Sequence, residues 1–419
     1  MGTYSSGACK GFQNMSDGKV NISYSTWGTE EGIAEIRRVA DSFNHQQDKI
    51  QVTVIHFPYE RYIEELNTMA AANRLPDCGL MSEAAVLQYA AKGYLADISN
   101  MYLGSESRLL ANLAFKDPDN KTVAFSVANQ ILLLYYNKNM FDKAGAPYPP
   151  ARVEDAWTWA QFIEAARRLT FDRNGRTPND ADFDRSSIVQ YGAMVENLTW
   201  QLEVWCLSNG GGFYSPEGSQ VIIDQDPAIE AIQRVADLHL VHNVAPLSSG
   251  LTDDGIQRSI ITGSTAMATG GQWNMGTCLS TARKEKGLNY GVAVLPYMKE
   301  KVTLNTGGPN VVFSQSKNPK EAFEFIKWFS AEENYWSMIE YCFWMLPQEK
   351  WYTSEISIND CMDYAVKAAK PASWYYVNNT VDFNKLLASI LGDVWTGRMT
   401  AKEAITANAA ALRRAQAGK

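Results

Sequence analysis

The sequence predicts an α/β protein built as two interleaved lobes, and three observations carry that prediction. From Val20 to Gly93, short period-two strand patterns alternate with segments of helical period, as in a parallel sheet with helices on both faces. The apolar run Ile131 to Tyr136 is dense enough for a strand buried on both faces, yet it stops abruptly at Asn137 and Lys138. Two strand-like segments, Tyr290 to Pro296 and Asn310 to Gln315, return late, so a sheet begun before residue 125 can recruit the second across a long excursion.

Val20, Ile22 and Tyr24 alternate as a strand, and Ile33, Ile36, Val39, Ala40 and Phe43 then fall on one helical face. "IQVTVIHF" is the next strand, Tyr59 to Ala72 the next helix, "PDCGLM" a third short strand, and "AAVLQYAAKGYL" a helix ending at Gly93. Asn137 ends the buried strand, and Asp142 to Gly145 is a short helix closing on glycine. Thr158 with Gln161 fits a capping box ahead of Trp159, Phe162, Ile163 and Ala166. Asp226-Pro227 and Asn318-Pro319 each place a cap residue before a proline that opens a helix.

At 419 residues, 46% hydrophobic and 20% charged, the composition excludes disordered, coiled-coil and collagen-like classes. A net charge of -8 with interspersed signs offers no basic face and argues against nucleic acid. Twelve Trp, 20 Tyr and 16 Phe are more rings than a core requires. No stretch approaches the roughly 20 apolar residues that span a bilayer. Residues 1–18 read as a leader scar or linker, in which Gly7 and Ala8 precede Cys9 as before the lipid-modified cysteine of bacterial lipoproteins, although Ser6 is not the usual aliphatic and a free thiol is the alternative. Cys78, Cys206, Cys278, Cys342 and Cys361 lack metal spacing; a Cys342–Cys361 disulfide stays open.

The segments "FSVANQILLLYYNKNMFDKAG", "TWAQFIEAARRLT", "WCLSNGGGF", "ITGSTAMATGGQW", "YGVAVLP", "SKNPKEAFEFIKWFS" and "WTGRMTAKEAI", in this order, resemble the extracellular carbohydrate-binding proteins of bacterial ABC importers, the maltose-binding-protein-like group. The resemblance covers Val20 to Arg414 and implies a type II periplasmic-binding-protein fold with discontinuous lobes, a hinge and a ligand cleft between them. Residues 19–129 with 308–329 would form one lobe, and 131–305 with 331–419 the other. The chain would cross at Asn129 to Gln130, Asn305 to Gly308 and Ser330 to Glu333, and "ILLLYYN" would enter the second lobe in a mostly parallel sheet. Gly307 and Gly308 would permit hinge motion, an ordinary tight turn being the alternative. The implied protein is an extracellular or periplasmic monomer, without cofactor or metal, that hands a sugar, expected to be an oligosaccharide, to membrane permease subunits.

A sugar needs rings to stack on and carboxylates or amides for its hydroxyls. At the carboxyl ends of strands, Trp27, Ser82 and Glu83 are candidates, with a lid on the first helix and a first-turn helix acid as the alternatives for Trp27 and Glu83. Asn129, Gln130 and Gly308 belong to the crossings. Glu196, Trp200 and Glu203 face the cleft from the second lobe, while Trp205 packs in the core. Trp273 matches the family's aromatic after its small-residue loop, with core packing as the alternative. Trp344 and Trp374, the latter in "SWYY", fall in the family's most variable part, where the resemblance implies that they would line a subsite.

A glycoside hydrolase is the rival reading, since Glu83, Glu196 and Glu203 could pair as acid and base, but nothing orders them into such a pair. A cation binder would want clustered acids. "FDRNGRTPNDADFD" carries part of a calcium-loop pattern through Asp172, Asn174 and Asp180, but Arg176 stands where an oxygen ligand belongs, so a solvated loop is expected. His239 and His242 read as a surface helix end.

Overall fold

The computed structural model describes residues 18–418 except 29, 103–113, 118, 127, 196–197, 248–258, 276–281, 283–286, 331–333 and 335–367. The chain opens with β1 (Val20–Thr26), α1 (Glu30–Gln46), β2 (Ile50–His56), α2 (Tyr59–Ala71), β3 (Cys78–Leu80) and α3 (Glu83–Ala91). A short α4 (Ser99–Tyr102), β4 (Ala114–Lys116) and β5 (Thr122–Ser126) follow. The middle of the chain supplies β6 (Gln130–Asn137), α5 (Lys138–Ala144), α6 (Trp159–Arg168), β7 (Phe171–Asp172), β8 (Ile188–Met194), α7 (Thr199–Ser208) and α8 (Asp226–Leu240). Then come β9 (Thr265–Gly271), β10 (Tyr290–Ala293), β11 (Thr303–Thr306), β12 (Pro309–Val312) and α9 (Pro319–Phe329), and finally β13 (Ala369–Pro371), α10 (Thr380–Trp395) and α11 (Ala401–Gln416).

These strands form two sheets. The first has the order β2-β1-β3-β12-β5-β4, so a strand from beyond residue 300 sits in the middle of a sheet begun at Val20. β1 runs parallel to β2 and β3, whereas β12 is antiparallel to both β3 and β5. The apolar stripe of α1, Ile33, Ile36, Val39, Ala40 and Phe43, is buried as its spacing requires. It packs with α9 over one face of the sheet: Phe325 meets Tyr24 edge-on at 5.4 Å and Phe43 at 5.4 Å, and Phe329 stacks on Tyr24 at 5.7 Å.

The second sheet has the order β13-β11-β6-β9-β8-β7, with β10 also on β6. Every residue of β6 is buried. One expectation needs correction here: β6 does not lie in a mostly parallel environment, because its ladders with β9, β10 and β11 are all antiparallel. The sheet's parallel pairings are β8 with β9 and β11 with β13. An unbroken apolar run reports burial on two faces and is silent about strand direction.

Local signals set most helix ends. Thr158 and Gln161 form a complete capping box on α6, and Thr400 with Glu403 forms another on α11. α8 begins one residue before the expected proline, with Asp226 inside the helix and Gln225 as its cap. α5 starts directly after β6, a turn earlier than expected, and ends at Gly145.

Between the sheets the chain crosses as a ribbon. β5 pairs with β12 in the first sheet through Ser126 and Pro309, and β6 pairs with β11 in the second through Gln130 and Thr306. Only residues 127–129 and 307–308 lie between the two ladders. Neither Gly307 nor Gly308 adopts a positive φ. Glycine at 307 answers a close approach instead, because a Cβ there would be driven into the Ala128 carbonyl oxygen. The expected crossing at residues 331–333 lies outside the described residues.

Candidate functional site

The carboxyl ends of β1 and β3 bring several candidates to one edge of the first sheet. Trp27 follows β1 directly and is half-buried, its ring held edge-on by Tyr62 at 4.7 Å. Tyr62 is fixed in turn: its hydroxyl donates to the Leu80 carbonyl and accepts from Ser25 Oγ at 2.7 Å. That bond ties α2 to the end of β3, where Ser82 caps α3 by position only, without a side-chain bond to the helix.

Glu83 is the first residue of α3, as the helix-acid reading expected, and it also reaches the crossing ribbon. Its Oε1 accepts the Gly307 N–H at 3.0 Å. Burial raises its carboxyl pKa to about 7, against the lowering effect of backbone hydrogen bonds. Tyr375 also lies close enough to Glu83 for burial and the carboxylate together to push its phenol far up.

At the crossings, Asn129 is fully buried and its Oδ1 accepts from Asn305 Nδ2. Gln130 is buried at the first position of β6, opposite Thr306, whose Oγ1 is buried without a hydrogen-bond partner. Gly308 rests against Leu80.

Beside the second sheet stand three indoles, on or next to elements that follow or pack on its strands. Trp200 of α7 stands 4.9 Å from Trp374 and 6.2 Å from Trp273, so the sequence candidates from three separated segments meet here. Trp273 lies in a single helical turn after β9, half-buried, and its indole folds back over Gly271, where any Cβ would collide with the ring. Trp374 is 5% exposed and its Nε1 is buried without a partner. Trp205 packs edge-on against Trp159 at 5.0 Å in the core.

Glu203 is placed differently from an open cleft residue. It is 2% exposed, and its Oε2 accepts the Ser373 N–H at 3.1 Å and the Ser373 hydroxyl at 3.0 Å. Burial raises its pKa to about 7. Its evident work is to hold the turn Ser373–Tyr375, and that turn links α7 with strands of the first sheet. Trp374 packs on Trp200, while Tyr375 stacks on Phe115 of β4 at 4.5 Å and shares a hydrogen bond with Ser126 of β5 at 3.0 Å. Sequence reading found Trp374, and placed Asn305 at a crossing, but found neither the pairing of Tyr375 with Phe115 nor that of Asn305 with Asn129; no local pattern marks contacts made across so many residues. Tyr59, 60% exposed beside Trp27 at 5.6 Å, was also missed, although its place just beyond β2 was a usable signal.

Glu196 and Trp344 lie outside the described residues, as do Cys9, Cys278, Cys342 and Cys361; Cys78 and Cys206 are buried free thiols. In the Asp172 loop, Oδ1 accepts backbone N–H groups from Asn174 and Arg176, and Oδ2 accepts that of Asp184. The carboxylate thus closes its own loop, and no cluster of three metal-ligating side chains occurs among the described residues. No described helix is long and apolar enough to cross a membrane.

A sequence model of the bacterial extracellular solute-binding protein family matches residues 38–345. The melibiose/raffinose/stachyose-binding protein MelE of Bacillus subtilis is 28% identical over 170 residues, covering 40% of this chain and 38% of that protein. The sn-glycerol-3-phosphate-binding periplasmic protein UgpB of Agrobacterium fabrum is 24% identical over 316 residues, covering 69% of this chain and 66% of that protein. The matches thus span about two thirds or less of these relatives' lengths. Among solved structures, an ABC transporter solute binding protein from Thermotoga lettingae bound with alpha-D-tagatose superposes with a TM-score of 0.81 at 20% identity, covering 95% of this chain and all of that one. The GacH receptor of Streptomyces glaucescens, solved with acarbose, gives 0.79 at 19% identity, covering 95% and 99%. These likenesses establish the two-lobed fold.

Proposed function

The chain belongs to the bacterial extracellular solute-binding proteins, and from that premise we propose that it captures an oligosaccharide between its lobes and presents it to the permease of an ABC importer. Residues 19–129 with 308–329 form one lobe of this reading, 131–305 with 331–419 the other, and the ribbon between them is the hinge. The protein acts outside the cytoplasmic membrane as a monomer, held there by lipid on Cys9. The observation that carries the reading is the convergence of Trp200, Trp273 and Trp374 at tilted angles, because clustered indoles offer faces on which the apolar sides of sugar rings can stack.

One named relative is a melibiose/raffinose/stachyose-binding protein and another an sn-glycerol-3-phosphate-binding protein. The described candidates favour a neutral sugar. Glu83 and Glu203 carry carboxyls whose ionisation burial already opposes, and a phosphate dianion beside them would add like-charge repulsion. Sugar hydroxyls can instead donate to a carboxylate and accept from an indole such as the unpartnered Trp374 N–H.

A thermal-shift screen of oligosaccharides tests this, since a ligand at a hundred times its Kd stabilises the folded state by about 2.7 kcal/mol. Trp273→Ala is expected to weaken binding by about 2 kcal/mol, roughly thirtyfold, while the melt of the empty protein stays near wild type. An unstable Trp273→Ala protein with near-native affinity, measured by calorimetric titration, would assign the ring to the core and end its ligand role. Prolonged incubation should leave the stabilising sugar intact by chromatography; hydrolysis lost in Glu203→Gln would favour the glycoside hydrolase.

A further inference from the structure

The order of the first sheet lays out the candidate residues as a row. Glu83 and Ser82 follow β3, Trp27 follows the next strand β1, and Tyr59 lies just beyond β2, the sheet's outer strand. Neighbouring strands stand about 4.8 Å apart, close to the length of one pyranose residue, so the row from Glu83 to Tyr59 measures out further sugar rings beyond the first.

Tyr59 is held in that row. The Phe57 N–H donates to the Thr26 carbonyl at 3.1 Å, joining the loop after β2 to the end of β1, and the Tyr59 ring stands 5.6 Å from Trp27, tilted by 53°. The two tyrosines of this loop and helix have opposite fates. Tyr62, 1% exposed, supports Trp27 from below, whereas Tyr59, 60% exposed, contributes little to the core. A lone exposed ring needs no explanation; this one continues an aromatic surface that begins at the candidate site.

We propose that Tyr59 is the outermost stacking residue of the cleft and makes it select oligosaccharides of three or more rings over shorter sugars. This rests on the sugar-binding reading and adds ligand length to it. The experiment is calorimetric titration of wild type, Tyr59→Ala and Tyr59→Phe with melibiose, raffinose and stachyose, and with maltose, maltotriose and maltotetraose. Wild-type affinity should rise from two to three rings within the series that binds. Tyr59→Ala should weaken the three- and four-ring sugars by about tenfold and leave the disaccharide within about twofold. Tyr59→Phe should behave as wild type. Equal weakening at every length, or no change at any, overturns the proposal. Failure of the wild type to bind either series would overturn the oligosaccharide reading itself, and that result appears before any variant is made.

Discussion

Replacing Gly307 by alanine is expected to destabilise the fold by about 3 kcal/mol, the upper end of what overpacking usually costs. The new methyl would enter the Ala128 carbonyl oxygen, which is backbone and cannot rotate away. Nor can the strands slide to make room, because Thr306 is paired with Gln130 on one side and Pro309 with Ser126 on the other. The same shift would pull the Gly307 N–H from Glu83, leaving a half-buried carboxyl without that donor. Gly392→Ala is the control. It lies inside α10 with nothing within 4 Å of the added methyl, so alanine there should stabilise by up to about 1 kcal/mol through helix propensity. Urea denaturation of both variants measures the difference, and a Gly307→Ala protein as stable as wild type would mean that the ribbon is not tightly nested.

The second large effect concerns pH. Burial raises the carboxyls of Glu203 and Glu83 to about 7 in the folded protein, above the ordinary unfolded value near 4.3. The folded state therefore holds protons that the unfolded state releases, and the resulting stability is fully present below the unfolded pKa and lost as pH rises through 7. For Glu203 the difference amounts to about 3 kcal/mol between pH 4 and pH 8; Glu83, being less completely covered, should contribute less. His242, whose pKa is lowered by burial and by Arg167, works in the opposite direction as pH falls. The comparison that isolates Glu203 is wild type against Glu203→Gln at each pH. The variant should lose much of the decline between pH 5 and 8, and an unchanged slope would show that Glu203 ionises freely in the folded protein.

Much of the fold could be read from the chain where its elements are local. Ile33 to Phe43 needs only the helical period, Val20 to Tyr24 only alternation, and the Thr158–Gln161 box only two residues at fixed spacing. The strand direction around β6 could not be read, since Ile131 to Tyr136 would be buried equally in a parallel or an antiparallel sheet. The same divide runs through the candidate site. Trp27, Ser82 and Glu83 follow strands that periodicity locates, so the rule for strand ends finds them. Glu203 follows a different logic: its residue type fitted a ligand contact, but its partner is Ser373, 170 positions away, and nothing in "LTWQLEVW" announces that serine. Asn129 and Asn305 are likewise a pair that only the fold assembles.

The crossing ribbon also constrains which lobe movements are open to the protein. Two antiparallel strands whose ladders continue on both sides of a short unpaired waist behave like a strip of sheet metal. Sliding one edge along the other would shift both registers together and transfer alternate side chains to the opposite faces of both sheets. Folding across the waist leaves both registers intact, although it would also have to part Tyr375 from Phe115 and Ser126. The ribbon therefore favours lobes that swing apart like the covers of a book over lobes that shear past each other, and surfaces that face one another when shut would meet again in the same alignment at each closing.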